Sequence, residues 1–178
     1  TGFGVSTDHL WLQEAELEQL TALALKNPQG VAVPRAVAMR IARFHLVDNT
    51  RGEPPHWNLE EVRKLILRAT MQPKAAGARH STNLRITGAF HLETKDGKRG
   101  YTGEISGFLR TISKTRAREF QFVAVGQHWG EGTYTRGARP GKTPFAVAFT
   151  LADSQKAKNC VPPQAIRWEK GYYEADRH

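Results

Sequence analysis

Two stretches of the chain hold most of the residues whose chemistry goes beyond packing. The first, 45–58, reads HLVDNTRGEPPHWN and carries His45, Asp48, Asn49, Arg51, Glu53 and His56. Imidazole and carboxylate together are the donor set of divalent transition metals, so His45 and His56 are candidate metal ligands, with His128 as the third. No HxH, HExxH or i, i+4 histidine pair is present, so such a centre depends on the fold to gather the three. The alternative is a structural loop. Asp48 and Asn49 would then accept backbone amides, Arg51 would pair with Asp48 or Glu53, and Pro54–Pro55 would stiffen the exit.

The second stretch, 126–142, reads GQHWGEGTYTRGARPGK and sets His128, Trp129, Glu131, Tyr134, Arg136 and Arg139 among five glycines. Glycine lets backbone amides approach a ligand, and arginine adds charge-assisted bonds to carboxylate or phosphate. The segment GARPGKT has three residues between its glycines where a nucleotide-binding P-loop has four, which excludes that motif. Arg51, Glu53, Tyr134 and Arg136 are candidate ligand-binding residues. His128 with Glu131 or Asp48 is a candidate acid–base pair. A His-Trp pair occurs in both stretches, at 56–57 and 128–129. If the tryptophans anchor in the core, the two loops converge on one pocket.

Charge offers a different reading. The chain carries 26 Lys and Arg against 17 Asp and Glu, a net charge of +9, which suits an anionic partner such as nucleic acid or another polyanion. Arg110, Lys114, Arg116 and Arg118 form its densest cluster and are the candidate polyanion contacts. The single cysteine, Cys160, excludes a disulfide within the chain and a cysteine-rich zinc site; its surroundings, AKNCVPPQ, suit a buried structural thiol. No run of 18 apolar residues is present, so no transmembrane segment is expected. The chain begins at Thr1 rather than Met, as a processed exported chain or a trimmed cytoplasmic one would.

These residues need elements to position them. At 178 residues, with roughly 150 per domain as the prior, one domain is expected. The pattern predicts an α+β domain over 1–178, helical over about 10–60 and β-rich over about 64–178. Leu17, Leu20 and Ala24 recur at helical spacing behind an acidic start, and Asn27, Pro28 and Gly30 stop that helix. Pro34 opens a second helix whose buried stripe is Val37, Ile41 and Phe44, with Arg35, Arg40 and Arg43 pointing elsewhere. Asn58 and Glu61 fit a capping box. KLILRATMQ alternates as a strand.

From Asn83 the alternation is clear: Leu84, Ile86, Phe90 and Leu92, then a Lys95-Asp96-Gly97-Lys98 turn, then Tyr101, Ile105 and Leu109 with Gly103 and Gly107 on the same face. Phe120 and Phe122 follow, and Phe145, Val147, Phe149 and Leu151 alternate again. N-terminal helices packed on a curved, largely antiparallel sheet of about four to six strands, barrel-like in its curl, is the expected architecture. A meander places turn 95–98 and the start of loop 126–142 at one sheet end and the basic turn 111–118 at the other. The C-terminal WEKGYYEADRH reads as a tail strand or docked segment. Three functions fit these residues. One is a soluble binding domain whose pocket, between loops 45–58 and 126–142, takes a metal or a small anionic ligand. A second is a basic module gripping a polyanion or nucleic acid. The third is a small enzyme using His128.

Overall fold

The computed structural model describes residues 5–73 and 81–177, without the side chains of Trp168 and Glu169. His80 and His178 lie outside the described residues. Helix α1 (Glu14–Lys26) starts at Gln13, whose backbone N–H donates to the Glu16 carboxylate at 2.9 Å in a capping box. It buries Leu20, Thr21 and Ala24. Strand β1 (Val31–Ala32) has only two residues, because Pro34 and helix α2 (Arg35–Arg40) follow directly. The helix then widens into a π turn (Ile41–His45), closed by the Leu46 N–H on the Ile41 carbonyl.

Asn58 and Glu61 cap a short 3-10 turn as their spacing predicts. It leads into β2 (Val62–Met71), β3 (Asn83–Glu93), β4 (Gly100–Thr111), β5 (Ala117–Trp129) and β6 (Thr143–Thr150). These pair antiparallel in chain order, giving six strands from β1 to β6. The sheet does not close into a barrel, so β1 and β6 stay as edges. Registers Gly100↔Trp129 and Thr111↔Ala117 put the 95–98 turn and the 130s loop at one end and the basic turn at the other.

One face of the sheet carries the core. Leu67, Ala69, Leu84, Ile86, Phe90, Leu92, Tyr101, Ile105, Leu109, Phe122 and Ala124 point inward against α1, α2, Leu46 and Trp57. Burying each leucine, isoleucine or phenylalanine of this set contributes about 1.5–3 kcal/mol. Gly126 lies opposite Gly103 on this face, and a Cβ at Gly126 would stand 1.9 Å from the Thr102 carbonyl oxygen. The absent side chains let Tyr101 reach across β5, where its hydroxyl donates to the Ala124 and Phe145 carbonyls at 3.0 and 3.2 Å. A second cluster, Met39, Phe44, Ala165, Tyr172 and Ala175, docks the C-terminal segment.

Three expectations are corrected. Arg40 and Arg43 do not point away from the core: they are 0% and 8% exposed, because carbonyls of the docked C-terminal segment receive them. Of the two readings of the tail, strand or docked segment, the docked segment is observed. It forms 3-10 turns and the short helix α3 (Glu169–Tyr173) within the part expected to be β-rich. Cys160 is exposed, its thiol lying against the Ser154 carbonyl in a surface turn rather than in the core.

Candidate functional site

Loop 46–58 is tied at both ends around Trp57. That side chain is 1% exposed, and its Nε1–H donates to the Leu46 carbonyl at 2.8 Å. The Arg99 guanidinium lies 3.9 Å from its ring centre and donates to the Pro55 carbonyl at 2.7 Å. Arg43 Nε donates to the Trp57 carbonyl at 2.8 Å.

Within the loop, Asp48 accepts from the Thr50 N–H (3.0 Å), the Thr50 hydroxyl (2.6 Å) and Arg51 Nε (2.8 Å). Burial alone would raise its carboxyl pKa; these bonds outweigh burial and hold it below the usual carboxylate value. The other two Arg51 nitrogens cross to the second loop. Nη1 donates to the Thr135 carbonyl at 2.5 Å and Nη2 to the Gly130 carbonyl at 3.2 Å. Gly52, at φ +145°, presses against the Tyr134 carbonyl, where a Cβ would stand 2.2 Å from the oxygen. The two loops therefore meet. Only one tryptophan anchors as expected, however. Trp129 stays on the outer side, with Nε1–H on the Gly97 carbonyl and Lys142 Nζ 4.3 Å from its ring centre.

Between the loops opens a cleft of about 440 Å³, lined by Pro54, Pro55, His56, Thr133 and Tyr134 with the ion-paired Glu53 and Arg167. Tyr134 is 73% exposed there. The His56 ring meets Phe44 edge-on at 5.0 Å. Arg136 is exposed and does not line this cleft.

The three histidines occupy different settings. His45 Nδ1 lies 3.3 Å from Asp8 and Nε2 lies 2.9 Å from the Tyr172 hydroxyl, so both ring nitrogens are engaged. His128 sits between Tyr101 and Phe145 at ring separations of 5.9 and 5.4 Å. Among the described residues, no group of three His, Cys, Asp or Glu side chains is disposed to hold a metal ion. Both carboxylates considered as partners of His128 are already bonded within their loops. Asp48 holds Thr50 and Arg51, and Glu131 accepts the Gly137 and Ala138 N–H groups at 2.7 and 3.1 Å. At the far end of the sheet Arg110 pairs with Glu119 at 2.7 Å and lies 4.8 Å from the Phe108 ring centre, while Lys114, Arg116 and Arg118 are exposed.

The sequence reading missed a buried chain of polar groups linking the two termini. Burial would raise the Asp8 carboxyl, but His45 and the Gln164 and His9 N–H groups outweigh it and hold the group below its ordinary value. Tyr172, pushed up by burial, accepts the Trp11 N–H at 3.1 Å. No local pattern marks these residues, because 127 positions separate His45 from Tyr172.

Burial also sets a pH dependence. It pushes His56 and His128 down to about 4, and for His128 the nearby Asp48 only partly opposes it. Between pH 4 and about 6.5 the unfolded chain binds more protons at these rings than the folded one. Their contribution is complete above about pH 6.5 and is lost as pH falls toward 4, by about 1–3 kcal/mol per ring at 1.36 kcal/mol per pKa unit. Urea melts at pH 7, 5.5 and 4.5 should show this decline, and His128→Phe should flatten it. A slope that is unchanged in that variant would remove His128 from the account.

The chain matches no protein-family model, no curated protein and no solved structure.

Proposed function

We propose that the protein is a binding domain for a small anionic ligand held in the cleft between loops 46–58 and 130–135. The observation that carries this reading is the Arg51 bridge. One guanidinium joins Asp48 to the Gly130 and Thr135 carbonyls, so the two loops are held together around the cleft before any ligand arrives. Arg167 supplies a cation at the mouth, and Tyr134 with Pro54 and Pro55 offers apolar faces for the ligand's body. The Glu53–Arg167 pair is half exposed on both sides, and an exposed pair is worth about 0–1 kcal/mol, so an incoming carboxylate or phosphate exchanges with Glu53 at small cost. His56, neutral at pH 7, contributes a hydrogen-bonding ring rather than a charge.

Titration with inorganic phosphate, succinate and benzoate, read by the NMR signals of His56 and Tyr134, tests the reading. At least one of these anions should shift both residues saturably. Arg167→Ala or Tyr134→Ala should then raise its dissociation constant about tenfold, the equivalent of 1.4 kcal/mol. Unmoved signals with all three anions, or equal affinity in both variants, would reject the proposal.

A further inference from the structure

At the opposite edge of the sheet, the pairing of β1 with β2 stops early. The register Val31↔Ala69, Ala32↔Arg68 continues to a Val33 N–H bond on the Leu67 carbonyl. The next partner in this ladder would be residue 35 opposite Leu65. Arg35, however, already opens α2. The backbone N–H and C=O of Leu65 point to the same side as those of Leu67, since strand residues two apart share a direction. Among the described residues, no hydrogen bond reaches the Leu65 backbone from that side, nor does the Leu67 N–H find an acceptor there. The far side of β2 is fully paired with β3. An unpaired stretch of strand edge is therefore available at 65–67.

That edge borders a cleft of about 250 Å³ between β1, α2 and β2. Val33, Ala38, Met39 and Leu65 give it an apolar floor, and Arg35 and Arg68 stand on its walls. Beside it a bulge between Val62 and Lys64 turns out Arg63. Arg35, Arg63 and Lys64 are exposed, and among the described residues none has a carboxylate partner.

We infer that the β2 edge is a docking slot for an extended acidic peptide of a partner protein, which adds as a short strand along 65–67. Three demands meet in one ligand. Only a peptide backbone both donates to the Leu65 carbonyl and accepts its N–H at strand spacing. The apolar floor takes a single aliphatic side chain of that strand. Among the described residues no acidic side chain lines the cleft, and the surrounding cations select carboxylates on either side. A nucleic acid would satisfy the charge, but it would leave the strand edge unpaired and place phosphate over an apolar floor.

The experiment uses the full chain and a fluorescein-labelled peptide of alternating valine and threonine with glutamates at both ends. Fluorescence anisotropy should show saturable binding that weakens as salt rises, with a lysine-flanked version of the peptide not binding. The paired change Arg35→Glu with Lys64→Glu should weaken binding about tenfold or more. Ala32→Trp, an exposed change that fills the slot without altering charge, should do the same while thermal melts stay unchanged. With peptide at about ten times its dissociation constant, amide exchange of Leu65 and Leu67 should slow about tenfold. Absence of binding overturns the proposal, as does binding that leaves those two amides unprotected. Displacement of the peptide by a DNA oligonucleotide with no protection of those amides would also overturn it, and would make the surface a polyanion site.

Discussion

Replacing Arg40 by alanine is expected to lower the unfolding free energy by about 3–5 kcal/mol, the range for removing one partner of a buried ion pair. The side chain is wholly buried and binds both ends of the chain. Nη2 and Nη1 form a fork on the Glu16 carboxylate at 2.6 and 2.8 Å. Nη1 also donates to the Trp11 carbonyl at 3.1 Å, Nε to the Tyr172 carbonyl at 2.9 Å, and Nη2 to the Tyr173 carbonyl at 3.2 Å. The guanidinium lies 5.1 and 4.9 Å from the ring centres of Tyr172 and Tyr173. Alanine would leave three carbonyls without this donor and the largely buried Glu16 carboxylate with the Gln13 N–H in place of the guanidinium fork. Against a typical total of about 5–15 kcal/mol, that loss is a large share. Arg40→Lys should recover little, because an ammonium cannot reproduce the planar fork. Urea denaturation of the two variants and of Glu16→Gln tests the account. A loss below about 1 kcal/mol for Arg40→Ala would show that the network is not a principal tie.

That network also marks where the sequence stops being legible. Strand alternation from 83 to 149, the Asp96-Gly97 turn and the Asn58–Glu61 box all express interactions within a few residues, and each appears where its spacing puts it, whereas Leu151 falls one residue past β6 and is exposed. The placement of the 130s loop and the basic turn 111–118 at opposite sheet ends follows from meander connectivity alone. Arg40 and Arg43 break the rule that arginine on an amphipathic helix faces water. Their acceptors are carbonyls 132 positions further on, and no periodicity reports such a distance. Cys160 misleads for the opposite reason: its type favours burial, but the turn that holds it lies on the surface. The candidate site was half legible. Dense polar loops with glycines did mark the two segments that meet, while the residue that joins them, Arg51, reads as a ligand-binding candidate or a local partner of Asp48 or Glu53 and not as a bridge between loops. Its bonds to Thr135 and Gly130 span 84 and 79 positions of chain, a separation that no local pattern reports.

Trp57→Ala should be about as damaging as Arg40→Ala, at about 3–5 kcal/mol, but through packing rather than charge. The indole fills the space between loop 46–58 and the sheet, and its removal leaves a cavity that neighbouring backbone can only partly close. It also strips the Leu46 carbonyl of its donor and Arg99 of the ring it covers. Arg99 is 7% exposed and has lost hydration, so among the described residues its guanidinium would keep the Pro55 carbonyl alone as a hydrogen-bond partner. The consequence reaches the cleft. Pro55 and His56 stand next to Trp57, so the cleft wall shifts with it, whereas Arg51→Ala releases the two loops from one another and leaves the core intact. The two variants therefore separate stability from site geometry. Trp57→Ala should lose stability and anion binding together, Arg51→Ala mainly binding. Trp57→Phe, which restores a ring but not the Nε1 bond, should fall between, with about 1 kcal/mol for the missing bond added to the smaller ring's packing loss. Urea melts combined with amide exchange at Thr135 read both effects. If Arg51→Ala costs as much stability as Trp57→Ala, the loop bridge is part of the core and the cleft has no independent support.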